Sequence, residues 1–125
     1  MKLLLTSGGL SNGELSNAVA ELAERPLEEL SLAYIPTAAN VIDEDKSWLV
    51  DHLVRLQSLA LARLDIVDFS GLKYDEWFSR LDSADVLMFE GGSTSYLMNK
   101  SQESGLTVAL EGWTQRFMSG LAREV

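Results

Sequence analysis

The sequence predicts an α/β fold in which a doubly wound parallel sheet of about four strands is flanked by helices. Three observations predict it. Four short apolar runs are each followed by turn chemistry, and amphipathic patterns at helical spacing fill the gaps between them. No repeat, low-complexity tract or linker interrupts the 125 residues, so residues 1–125 read as a single domain. Strands that alternate with helices form parallel βαβ units with right-handed crossovers, and such sheets bind ligands at the carboxyl ends of their strands.

The first run is KLLLT at residues 2–6, the second LAYIP at 32–36, the third LDIVDF at 64–69 and the fourth DVLMFE at 85–90. The first, second and fourth are almost continuously apolar, as strands covered on both faces are. The third carries Asp65 and Asp68, which places it nearer a sheet edge. Between the first two runs, Leu15, Ala18, Val19 and Leu22 recur at helical spacing until Pro26 closes the pattern. After the second, Asp43, Glu44 and Asp45 suit a helix first turn, and Trp48, Leu49, Leu53, Leu56 and Leu59 line one face. YDEWFSRL is a short helix with Trp77 and Leu81 facing inward. STSYLMNKSQES opens with Ser93 and Thr94 as candidate N-caps and runs to a stop at Gly105. The loops positioned for function are therefore 7–13, 37–45, 70–73 and 90–95.

Composition removes several function classes. Ten Lys and Arg against 19 Asp and Glu give a net charge of −9, which argues against nucleic acid and anionic membrane surfaces as partners. There is no cysteine, hence no disulfide, thiolate metal site or Cys nucleophile. The opening MKLLLTSGG is too short in apolar residues for a signal peptide, and no window is long enough to span a membrane. The expectation is a cytoplasmic protein.

Three motifs carry possible chemistry. SGGLSNG, with Gly8 and Gly9, resembles a glycine-rich phosphate loop in outline, but it lacks the Lys-Ser/Thr of a P-loop and dinucleotide spacing; a tight strand-to-helix turn is its default reading. In FEGGSTSYL, a buried strand runs into Gly91 and Gly92 and then into small hydroxyl residues that open a helix. Backbone amides at such a turn, with a helix amino terminus behind them, suit an oxyanion or carboxylate. Ser93 half-resembles a nucleophile elbow without its closing glycine, and it would need a base within reach. The one imidazole, His52, lies mid-helix between polar neighbours Asp51 and Arg55 and reads as a surface or boundary residue. The acidic residues 43–45 read as a solvated helix start rather than a cation site, so no metal is expected.

Taken together, LLLTSGG, AYIPTAAN, DKSWLVDHL, LDIVDFSGL, ADVLMFEGGSTSYLMNK and ESGL resemble the amino-terminal half of the dipeptidase E and cyanophycinase family of serine peptidases, over residues 1–110. The resemblance implies a class I glutamine amidotransferase-like fold, related to flavodoxin and here truncated. It implies cleavage of small peptides with an amino-terminal aspartate, with no cofactor. In the family, the fourth strand ends in a G-G-G-N-T turn that supplies an oxyanion-hole amide. That role falls here on Gly91 or Gly92, within a crevice of Gly8, Gly9, Pro36, Thr37, Glu90, Ser93 and Thr94. Glu90 replaces a glycine of the pattern and Ser93 an asparagine, and a carboxylate beside an oxyanion hole opposes developing negative charge.

The family's nucleophile lies in a G-x-S-A-G elbow on the following strand, with its His later still; no such elbow occurs in this sequence. The resemblance therefore implies that no catalytic residue is present and that the nucleophile and the His belong beyond Val125. Residues 111–125 form an atypical tail. Read one base upstream with suitable synonymous codons, residues 116–125 encode V-Y-V-G-I-S-A-G-S, a family-like strand and elbow. A frameshift after Leu106 is one expectation, tested by sequencing the coding DNA; a truncation or a short paralogue is another. In the unshifted frame, Leu106, Leu110, Trp113, Phe117 and Leu121 fall near one helical face. Either that helix or a second copy must cover the sheet, and a homo-oligomer is expected. The remaining function classes are a catalytically inactive dipeptidase homologue, a non-catalytic binding or assembly module, and an unrelated flavodoxin-like binder of phosphate ligands.

Overall fold

A computed structural model describes residues 3–6, 21 and 23–114 of the chain. Strands β1 (Leu3–Thr6), β2 (Ser31–Ile35), β3 (Arg63–Ile66) and β4 (Val86–Phe89) form one parallel sheet in the order β1-β4-β2-β3. The central pair is in register from Leu32 opposite Val86 to Ile35 opposite Phe89. The helices are α1 (Thr37–Asn40), α2 (Ser47–Gln57), α3 (Tyr74–Asp82), α4 (Thr94–Ser104) and α5 (Leu106–Thr114). Most of the crossover helix predicted around Leu15–Leu22 lies outside the described residues; Glu21 and Ala23 are helical.

Alternation along β2 and β4 sends side chains to two separate cores. On one face, Ala33, Ile35, Leu87 and Phe89 pack with Trp77, Leu81, Leu106 and Trp113. On the other, Leu32, Tyr34, Val86 and Met88 pack with Leu49, Leu53 and Leu56 of α2. The sheet is therefore wound on both sides, as the sequence predicts. Asp65 suits the edge position of β3, whereas Asp68 lies past the end of the strand. Arg80 grips Asp65 with two hydrogen bonds of 2.9 and 2.7 Å and donates a third, 2.8 Å, to the Ile66 carbonyl. Those bonds hold Asp65 below the usual carboxylate range, against a smaller opposing effect of burial.

Ends of elements follow local chemistry. Ser93 caps α4 by accepting from Tyr96 N at 3.3 Å, and Gly105 ends it in a left-handed conformation, both as expected. Helix α2 stops at Gln57, earlier than the apolar pattern implies, because Ala60 turns to a φ of 57°. Leu59 nevertheless still packs on the α2 side of the sheet. The expected loop after β2 contains the helical turn α1.

The expected carboxyl-terminal helix is present as α5. Leu106 and Trp113 are buried, and the Trp113 indole donates to Asp82 at 2.9 Å. The rest of the tail, from Phe117 and Leu121 to Val125, lies outside the described residues. Helix α5 thus covers part of one face of the sheet. Among the described residues, no helix is long and apolar enough to cross a membrane.

A candidate site at the carboxyl ends of β2 and β4

Neighbouring strands β2 and β4 lead to helices on opposite faces, α2 on one side and α4 on the other. A reversal of this kind opens a crevice between the strand ends, where α/β sheets hold ligands. From β2 the chain continues through Pro36 into α1; from β4 it continues through Glu90, Gly91 and Gly92 to the Ser93 cap.

The two segments lock together through the backbone. Glu90 N donates to Ile35 O at 3.0 Å, and Ser93 N donates to Ala38 O at 2.9 Å. Gly92 passes so close to α1 that an added Cβ would stand 2.3 Å from Ala38 O, at a φ of 156°. Gly91, one residue earlier, has open space where a Cβ would go. Only the second glycine is required by the fold.

Beneath the turn lies a polar group that sequence reading does not assemble. Glu90 is 3% exposed, yet its carboxylate is satisfied on both oxygens. Oε2 accepts from the Tyr34 hydroxyl and pairs with His52 Nδ1 at 2.7 Å; Oε1 accepts from Gly91 N at 3.1 Å. Burial, then the hydrogen bond and charge of Glu90, push the Tyr34 phenol far above its ordinary range, so it remains a donor. Trp48 meets the His52 ring edge-on at 5.8 Å between centroids. His52 is a boundary residue, as expected, but it is not idle: it joins α2 to the β4 turn.

A second polar cluster supports α1. Asp68 accepts from Thr37 Oγ1 at 2.8 Å, Asn40 Nδ2 at 2.7 Å, and Ser70 Oγ and N at 2.6 and 3.1 Å. Burial alone raises the Asp68 pKa, but these donors together outweigh it and hold the carboxyl below its usual range. A group depressed on folding adds stability above its unfolded pKa, about 3.9, and that stability is lost as pH falls through the folded value. Thermal melts should therefore be flat between neutral pH and about pH 5 and fall steeply below about pH 4. Asp68→Asn should lower the neutral-pH stability by about 1–2 kcal/mol and shallow the acid slope, because an acceptor becomes a donor facing donors.

These contacts revise several sequence expectations. Pro36 and Thr37 are buried and serve packing and the Asp68 cluster, not an open crevice wall. Gly91 does not aim its amide at a ligand, since that amide is taken by Glu90. Glu90 is a buried, fully bonded carboxylate rather than a loose charge beside the turn. Ser93 is a helix cap whose hydroxyl also meets Ser95 Oγ at 3.4 Å. Thr94 is exposed at the start of α4. Gly92 N has no acceptor among the described residues. Gly8 and Gly9 lie outside the described residues. So does Val125, the point beyond which the sequence reading puts the nucleophile and its His, and the fold gives no position for either. Residues 43–45 are exposed, with Asp45 accepting from Ser47 N at 3.1 Å, and no metal-holding group of three His, Cys, Asp or Glu occurs among the described residues.

Residues 3–118 match the model of peptidase family S51. A solved structure of a protein from Listeria monocytogenes EGD-e, provisionally named as a peptidase E, superposes with a TM-score of 0.68 at 22% identity. The match covers 85% of this chain and 50% of that one, so the chain spans about half the length of its structural relative. No curated protein matches the sequence.

Proposed function

The chain belongs to peptidase family S51, and we propose that it carries the sheet and oxyanion turn of a serine-type dipeptidase but is catalytically inactive by itself. The observation that carries this reading is the commitment of its single imidazole. His52 Nδ1 is bound to buried Glu90 at 2.7 Å, and among the described residues no serine hydroxyl is hydrogen-bonded to His52. Acyl transfer through serine needs a base that takes the hydroxyl proton, within about 2.6–3.2 Å. Ser93, the candidate nucleophile of the glycine turn, accepts from Tyr96 N as the cap of α4 and is not hydrogen-bonded to His52.

What these residues retain is geometry. Gly92 N, with no acceptor among the described residues, and the amino terminus of α4 behind it form a site suited to an oxyanion. The substrate in this reading, taken from the resemblance to dipeptidase E-type members, is a small peptide led by aspartate, and the described residues assemble no nucleophile–base pair for cleaving it. A cytoplasmic location belongs to the same proposal.

A second reading, a non-catalytic small-ligand or assembly module, is favoured by one contact: Glu90 Oε1 occupies Gly91 N, the amide an active turn would offer. Labelling with a fluorophosphonate, which captures activated serines, tests both. Neither reading expects any serine of the purified chain to be modified. Stoichiometric labelling of Ser93 would overturn them together.

A further inference from the structure

Helix α2 buries one face against the sheet and leaves the other bare. Val50 and Val54 are 57% and 59% exposed, the largest apolar exposure on this helix. One helical position further round, Asp51 and Arg55 form a second exposed row, with Ser47 and Ser58 at the two ends. Neither Asp51 nor Arg55 forms an ion pair among the described residues.

We propose that this face is the contact between two copies of the chain, paired antiparallel across a two-fold axis through the middle of α2. The symmetry selects the arrangement. A two-fold perpendicular to the helix and lying in the interface brings each row against itself with direction reversed. Val50 then meets the partner copy's Val54, and Asp51 meets the partner copy's Arg55, each contact occurring twice. A parallel pairing would instead set the valine row against the charged row. The chain's net charge is −9, but this patch is neutral, and its serine ends let the helices approach closely.

The sheet edge at β3 is a poorer route to association. Arg80 already covers the Ile66 carbonyl and both oxygens of Asp65 there, which blunts strand addition. A single helix pair is smaller than a standard interface, so the dimer is weak and concentration-dependent.

Sedimentation of the purified chain over a concentration series tests the proposal. A monomer–dimer equilibrium is expected, with dissociation constants raised about tenfold by Asp51→Arg or by Arg55→Asp, since each places like charges opposite one another. The combined D51R/R55D exchange restores opposite charges across the axis and should return the constant to near the parent value. Val54→Glu should leave a monomer. These side chains are exposed, so the variants keep the fold, which circular dichroism checks. A chain that stays monomeric throughout, a dimer indifferent to the single reversals, or a double exchange that fails to rescue would each overturn the proposal.

Discussion

Gly92→Ala is expected to lower the stability of the chain by about 3 kcal/mol, from backbone strain and overpacking together. The added methyl would stand 2.3 Å from Ala38 O, 2.5 Å from Ala38 C and 2.7 Å from Ala39 N. Those are backbone atoms of α1, held by the bonds of Thr37 and Asn40 to Asp68, so they cannot swing aside as a flexible side chain would. The φ of 156° adds strain for any L residue. Relief requires the turn to move away from α1, breaking the 2.9 Å bond from Ser93 N to Ala38 O and with it the cap of α4. Gly91→Ala is the control, because open space surrounds that position and its stability should change by less than about 0.5 kcal/mol. Denaturant melts of both variants decide the matter. Equal effects would show that the close approach of Gly92 to α1 is not what holds the turn.

Glu90→Ala is expected to cost a similar amount, about 3 kcal/mol, for a different reason. Glu90 is 3% exposed and its removal strands the Tyr34 hydroxyl in an apolar core between Leu32, Val86 and Met88. A buried donor without an acceptor costs more than the lost bond itself. Tyr34→Phe alone should be milder, about 1 kcal/mol, since Glu90 keeps His52 and the Gly91 amide. Combining the two should cost less than their sum, by about 1–2 kcal/mol, because the phenylalanine leaves no hydroxyl to strand. Additive losses in a double-mutant cycle would mean that the two side chains act independently.

Much of the architecture is legible in the chain because its signals are local. Leu32 to Ile35 and Val86 to Phe89 are continuous apolar runs bounded by turns, so two central strands are evident before any pairing is known. The caps at Ser93 and Gly105 depend on residues within a few positions of each other. Asp65 of LDIVDF marks an edge because it needs a polar partner that a central strand cannot offer, and Arg80 supplies it; Asp68 falls past the strand end and takes the α1 donors instead. The early end of α2 is less visible, since Ala60 is an ordinary helix former that here adopts a φ of 57°.

The polar group under the turn is a different kind of information. His52 and Glu90 stand 38 residues apart and Tyr34 and Glu90 stand 56 apart. Their meeting depends on how α2 lies across β2 and β4, which no short window encodes. One signal was present: a Tyr within an apolar strand and a Glu closing another strand both demand partners once buried. Sequence reading treats Glu90 as a charge that would disturb the turn, whereas the fold turns it inward and uses it to fasten the turn to α2.

Hydrolysis of an aspartate-led dipeptide by the purified 125-residue chain decides whether it is catalytic on its own. No turnover above the uncatalysed background is expected, with His52→Ala and Ser93→Ala indistinguishable from the parent. Turnover that either substitution abolishes, in variants that remain folded, would contradict that expectation.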